Sequence, residues 1–244
     1  MYRRIFAAAI LAGFLSGIVI TVIQEFTTTP IILHAEQFEA KAGDVNKKQS
    51  TYRNSMLILA HGKHGDWTKN ISTILHQGKR WERRFFTTIT NIIMGVGFGF
   101  LLVACFSISK GKINGRTGVI WGVAGFTVIS LAPSLGLPPE LPGAPAAELA
   151  SRQGWWFFCV AATATGLSVL VFLKGAVWVI SGLSLIALPQ IVGAPKPEIF
   201  GGNVPAELAS HFVAASLVTA AIFWSALGWL SGTFWQMFEK KIGK

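Results

Sequence analysis

Charge is scarce in this 244-residue chain: Asp, Glu, Lys and Arg together supply 13% of it, about half the roughly 25% of a soluble domain. That shortage, with a mean hydropathy of +0.52, excludes a disordered chain and an ordinary cytosolic enzyme. Cysteine is scarcer still. Cys105 and Cys159 lie in different apolar stretches without a CxxC spacing, which excludes a secreted disulfide scaffold and reads as two small buried hydrophobes. Catalytic motifs are missing as well. There is no G-x-x-x-x-G-K-[ST], no H-E-x-x-H and no G-x-S-x-G, so phosphate-cradling, zinc-protease and serine-hydrolase chemistry are not expected. The chain reads as no enzyme and as holding no cofactor.

What is present is apolar length. Six blocks of spanning size run roughly 5–24, 86–108, 117–136, 155–173, 176–192 and 209–231, and blocks near twenty residues are what a bilayer requires. The first follows Arg3-Arg4 and has no A-x-A-like site behind it, so an uncleaved anchor is expected. The fourth and fifth are parted only by Leu173-Lys174-Gly175. One helix of nearly forty residues would overshoot any bilayer, so a tight helical hairpin is expected there.

Charge then orients the blocks. Arg3, Arg4, Lys110, Lys112, Arg116, Lys174, Lys240, Lys241 and Lys244 fall on one side; the opposite short loops hold Arg152 and Lys196 against four glutamates. The positive-inside rule places both termini in the cytoplasm. The formal net charge of +10 is therefore a topology signal, and no nucleic-acid face is expected. The expected fold is all-α: a polytopic membrane protein with six transmembrane helices in three hairpins. Residues 1–24 form the first helix, 25–85 an extracytoplasmic loop, 86–231 a five-helix membrane core with repeated hairpins, and 232–244 a basic cytoplasmic tail. Short helices are expected near 31–40 and 68–80.

Two features organise the blocks. Gly13-x-x-x-Gly17, Gly95-x-x-x-Gly99, Gly118-x-x-x-Gly122 and Gly228-x-x-x-Gly232 present small faces that let helices approach closely in lipid. Trp155-Trp156, Trp229 and Trp235 lie near block ends, as an aromatic belt would. In the outer loops, Pro145-Ala146-Ala147-Glu148-Leu149-Ala150-Ser151-Arg152 resembles Pro205-Ala206-Glu207-Leu208-Ala209-Ser210-His211. This internal repeat predicts equivalent hairpins at 117–173 and 176–231, related by rotation about the membrane normal. The same residues also suit helix starts, with Glu148/Arg152 and Glu207/His211 at i,i+4.

Cation ligands are sought on the outer side. His61 and His64, at i,i+3 with Asp66 beside them, form a three-ligand set or are simply solvated; His34, Glu36 and Glu39 offer a second. Imidazole and carboxylate suit a borderline divalent metal ion. Glu140, Glu148, Glu198 and Glu207 converge on the outer mouth, where carboxylates would focus a field for cations; His211 lies beside Glu207. Within the spans no ionisable residue sits at midplane depth, leaving Asn91, Thr163, Thr165, Ser168, Gln190 and Thr219 to line a neutral path.

The run Leu131-Ala132-Pro133-Ser134-Leu135-Gly136-Leu137-Pro138-Pro139-Glu140-Leu141-Pro142-Gly143, with Glu148-Leu149-Ala150-Ser151-Arg152-Gln153 and Trp155-Trp156 after it, strongly resembles the CbtA family of predicted cobalt transporter subunits. The likeness extends to Asn91 with Gly95-Val96-Gly97-Phe98, to Leu188-Pro189-Gln190-Ile191-Val192-Gly193-Ala194-Pro195, and to Val204-Pro205-Ala206-Glu207-Leu208. The resemblance implies an inner-membrane permease subunit taking up a divalent cation, cobalt, for cobalamin synthesis. It also implies a small one-span partner of the CbtB type. The histidine-rich outer loop of many members is here reduced to His61-Gly62-Lys63-His64-Gly65-Asp66. The competing expectation is a membrane scaffold whose outer loop delivers metal or recruits a partner; a continuous polar path would separate the two.

Overall fold

The computed structural model describes residues 2–38, 67–109, 111–198 and 204–242, and all regular structure among them is helical. α1 spans Tyr2–Phe26 and continues after a single turn residue, Thr27, into α2, residues 28–38. α3 spans Trp67–Ile108, α4 Gly115–Phe126 and α5 Ala132–Ser134. α6 follows at Leu149–Phe172, α7 at Ala176–Val192 and α8 at Ala206–Ile242. Five helical segments are long and apolar enough to cross a membrane: Ile5–Phe26, Trp81–Ile108, Gly115–Ser134, Leu149–Phe172 and Ala206–Glu239. α7 is apolar too, but its 17 residues make about 26 Å, just under a ~30 Å hydrocarbon core. The helical stretches expected near 31–40 and 68–80 are found over their described residues. The second is an extension of α3, not a separate element.

Local chemistry sets the breaks. Asn114 caps α4: its Oδ1 accepts from the amides of Arg116 (2.9 Å) and Thr117 (3.1 Å), while Thr117 Oγ1 accepts from Asn114 N at 2.8 Å. This reciprocal box starts the helix cleanly. Further along, Pro133 has no N–H to donate one turn back, and just before it the helix widens into a π turn over Thr127–Leu131, with Ala132 N bonded to Thr127 O. The α6–α7 turn ends with Gly175 at φ +120°, a conformation that a side chain would strain. The tight hairpin expected at 173–175 is therefore present.

Glycine decides which helices pair. A Cβ on Gly13 would overlap the backbone of Val96 and one on Gly99 would press on Ala9 O, so α1 and α3 run antiparallel at backbone contact. Likewise a Cβ on Gly118 would overlap Gly228 O, and one on Gly232 would overlap Asn114 O, which zips α4 antiparallel to α8. All four Gly-x-x-x-Gly motifs are thus used, two by two. Gly166 and Gly182 join α6 to α7 in the same way. Phe98 against Phe223, and Phe106 against Trp235, show α3 and α8 running parallel. The core gathers Ala8, Ala12, Val103, Phe106, Trp224, Leu227 and Trp235 around α8.

These pairings correct the hairpin expectation. α1 and α3 pack as a pair, as do α6 and α7, but the third close pair is α4 with α8. Neither α4 with α6 nor α7 with α8 packs along its length. The similar loops at 145–152 and 205–211 thus begin helices with different partners, and 117–173 and 176–231 are not equivalent packed hairpins. Backbone fit between glycine faces overrides chain neighbourhood here. Two tryptophans assigned to an aromatic belt are also interior. Trp155 is buried, with Nε1 donating to Pro189 O at 3.3 Å, and Trp235 packs on Phe106.

Replacing Gly118 by Leu should disrupt the α4–α8 seam and cost at least about 1–3 kcal/mol from overpacking. Gly97→Ala, whose new methyl meets nothing within 4 Å, should leave stability intact. Thermal unfolding of the detergent-purified variants checks both, and equal melting would remove the seam from the argument.

Candidate functional site

Beyond the glycine seams, α1, α2, α3 and α8 part around a cavity of about 1090 Å³. It lies at the end of the bundle away from the 109–114 loop. Its wall is built by helical spacing. Thr21, Gln24, Glu25 and Thr28 line one side of α1 and α2, Arg84, Thr87 and Asn91 a side of α3, and Ser216 and Thr219 a side of α8. Ile129 and Ser130, from the π turn, complete the wall; such turns put a local irregularity in a helix and recur at functional sites.

The polar groups are organised. Asn91 Nδ2 donates to Gln24 Oε1 at 2.7 Å and to Thr21 Oγ1 at 3.0 Å, and Thr21 Oγ1 donates to Gly17 O at 2.8 Å. Thr27 Oγ1 donates to Ile23 O at 2.9 Å and lies 3.2 Å from Thr219 Oγ1, tying α1 to α8. At the rim, Arg84 Nε sits 3.0 Å from Glu25 Oε1 and Arg84 Nη2 donates to Glu25 Oε2 at 3.3 Å. Arg83 Nη1 sits 2.9 Å from Glu36 Oε1. The two pairs bind α3 to α1 and α2 while leaving their own charges balanced. Both are substantially exposed, so each adds little stability.

The floor is aromatic. Phe98 packs on Trp224 (ring centroids 4.8 Å apart) and on Phe223 (6.3 Å), and all three line the cavity. Trp224 lies on Gly125, where a Cβ would overlap its ring. Below the floor, Leu227 and Phe106 are fully packed. Phe98, Phe223 and Trp224 thus close the cavity on the side toward Leu227 and Phe106.

A family model described as "Probable cobalt transporter subunit (CbtA)" matches residues 2–236. The chain belongs to the CbtA family. Comparison with curated proteins and with solved structures finds no match. CbtA membership and the apolar helices together make this a multi-pass membrane protein of cobalt transport.

The ligand residues expected from sequence are dispersed in this CbtA chain. Glu36 is held by Arg83, and His34 packs against Phe38 with centroids 5.3 Å apart. Glu140 pairs with Arg152 at 2.9 Å, replacing the expected Glu148–Arg152 contact, and Glu148 accepts instead from Ser151 at 2.8 Å. Glu207, in the first turn of α8, and His211 are both exposed. Glu39, His61, His64 and Asp66 lie outside the described residues. Among the described residues no three His, Cys, Asp or Glu gather as a metal-binding group. Of the neutral groups expected along a path, Asn91 and Thr219 line the cavity. Gln190 instead bonds Ala132 O at 2.9 Å, and Thr165 and Ser168 bond their own helix. Sequence reading passed over Thr21, Gln24 and Thr28. Their i, i+3, i+7 spacing at the end of an apolar block was the available signal.

With Cys105 and Cys159 changed to Ser, Ser216→Cys, which lines the cavity and is part-exposed, should react with a water-soluble maleimide. Leu227→Cys, below the aromatic floor, should react at least about tenfold more slowly, because thiol reactivity follows exposure. Mass spectrometry of the labelled protein reads the ratio; equal rates would mean that no closed floor exists.

Proposed function

We propose that this chain is the permease subunit of a cobalt uptake system in the bacterial inner membrane, feeding cobalamin synthesis beside a one-span partner of the CbtB type. The observation that carries the reading is the cavity among α1, α2, α3 and α8, which sets Thr21, Gln24, Asn91, Ser216 and Thr219 in a largely apolar wall and stops at an aromatic floor. That is the form of a carrier open to one side, and a dry, filled bundle would have suited a scaffold. Family membership supports cobalt as the cargo.

The proposed topology has six crossings with both termini in the cytoplasm. Helix polarity supports it: α8 runs parallel to α3 and antiparallel to α4, which calls for an even number of crossings between α4 and α8 and is met when α6 and α7 cross in opposite directions. Lys112 and Arg116 lie at the α3–α4 turn, where Gly232 of α8 meets Asn114, and Lys174 lies in the α6–α7 turn; positive charge in such short turns is the mark of the cytoplasmic side. The cavity then opens to the periplasm. His34, Glu36, Glu39, His61, His64, Asp66, Glu140, Glu148, Glu207 and His211 remain our proposal for first capture of the cation on that side.

Labelled cobalt uptake in cells with and without the chain, with nickel as competitor, tests the reading. Ser216→Phe, which fills the cavity, should lower uptake at limiting cobalt by about tenfold, the ratio that corresponds to 1.4 kcal/mol. Its abundance in the membrane should remain normal. Unchanged uptake with a filled cavity would favour the scaffold.

A reporter fused after Lys244 should read cytoplasmic and one inserted at Lys47 periplasmic. A periplasmic C-terminus would remove the six-crossing topology.

A further inference from the structure

Much of the cavity wall is apolar: Ile20, Ile32, Leu33, Met94, Phe212 and Ala220 stand beside the aromatic floor. Its charges, among the described residues, lie together, where Arg84 meets Glu25 and Arg83 stands next in the chain. An apolar chamber with charge confined to one place suits an amphiphile.

The cavity also reaches the flank of the bundle. Phe86, Thr90 and Met94, at i, i+4 and i+8 on α3, line it and are all exposed. They form a lip about 12 Å long. Across from it stand Ile129 and Ser130 of the π turn, and that part of the chain packs on α3 far less than α1 does. The helix itself sets the depth. Met94 falls at the middle of the apolar stretch Trp81–Ile108. From there to Arg84 the axial rise is about 15 Å, half of a ~30 Å hydrocarbon core. The lip therefore lies at the level of acyl tails and the guanidiniums at the level of phosphates.

Arg83 Nη1 contacts Glu36, while Arg84 Nε and Nη2 contact Glu25. A guanidinium carries about five N–H donors, more than these contacts use, and its planar fork matches phosphate oxygens. The two carboxylates would repel a lone anion. A zwitterionic headgroup brings its own ammonium for them, so phosphate and ammonium together complement the mixed rim.

We propose that a zwitterionic membrane phospholipid inserts one tail into the cavity through the flank between α3 and the π turn, with its phosphate on Arg83 and Arg84. The tail completes the wall that α3 and α4 leave open. The inference rests on the chain's crossing a membrane and not on the uptake reading, so either can fail alone. To test it, the full chain is reconstituted in liposomes doped with phosphatidylethanolamine that carries a mid-tail diazirine. After irradiation, the cross-linked residues are mapped by mass spectrometry.

Phe98 and Ile129, part-buried in the cavity wall, should be labelled alongside Leu101 and Ile120, which are exposed and outside the lining. Arg83→Gln with Arg84→Gln should lower the cavity labels by about tenfold and leave those on Leu101 and Ile120 unchanged. Glu25→Gln with Glu36→Gln breaks the same ion pairs but keeps both guanidiniums, so it should retain most of the labelling. A diacylglycerol with the same tails and no phosphate should label Phe98 about tenfold less. Melting temperatures show that both double variants are folded. Labels confined to Leu101, Ile120 and other residues outside the lining would overturn the proposal. Equal labelling by the diacylglycerol, or equal effects of the two double variants, would overturn it as well.

Discussion

Backbone-to-backbone contact between glycine faces is the interaction on which the rest depends. In lipid there is little hydrophobic gain in bringing two helices together, so close approach and the dispersion contacts that follow must hold them. Here Gly13 and Gly17 meet the 92–99 stretch of α3, while Gly118 and Gly122 meet Gly228 and Gly232. Both seams occupy the half of the bundle nearer the chain termini. Both end where larger or polar side chains begin: Thr21, Gln24 and Asn91 on one, Trp224 and the π turn on the other.

The cavity is the other face of that arrangement. Glycine faces bring the helices to backbone contact, and beyond them larger side chains, Thr21, Gln24 and Asn91 among them, stand around the space that remains. The same geometry explains the floor, since Trp224 is the first large residue above the α4–α8 seam and can lie flat only because Gly125 has no side chain. Rim ion pairs then tie α1, α2 and α3 without leaving either partner's charge unbalanced.

Much of the membrane architecture was legible in the sequence. The apolar blocks, the 173–175 hairpin and the small-residue faces each have a local signature that survives folding. Pairing was not legible, because four Gly-x-x-x-Gly motifs can match in several ways and their spacing is the same in each. The loop repeat misled for a related reason: Pro-Ala-Glu-Leu-Ala-Ser begins a helix well wherever that helix later packs. The site was half legible. Asn91 and Thr219 stood out as polar residues within apolar blocks, whereas Thr21, Gln24 and Thr28 sat at a block's end and looked like its margin. The acidic residues drew attention through charge, yet Glu36 and Glu140 are matched by Arg83 and Arg152, partners distant enough in sequence to escape a reading along the chain.

The pairing of α4 with α8 also has a consequence in time. Gly118 finds its partner more than a hundred residues later, in a helix made after every other helix described here. At about 5–20 residues per second, that gap is roughly 6–20 seconds of synthesis. Throughout it α4 rests in the bilayer with its glycine face open, while the α6–α7 hairpin, a purely local structure, closes beside it. The bundle is thus completed from its C-terminal helix backwards. A ribosome that stalls before residue 206 releases a membrane-inserted chain with its central seam unmade and its cavity lacking a wall.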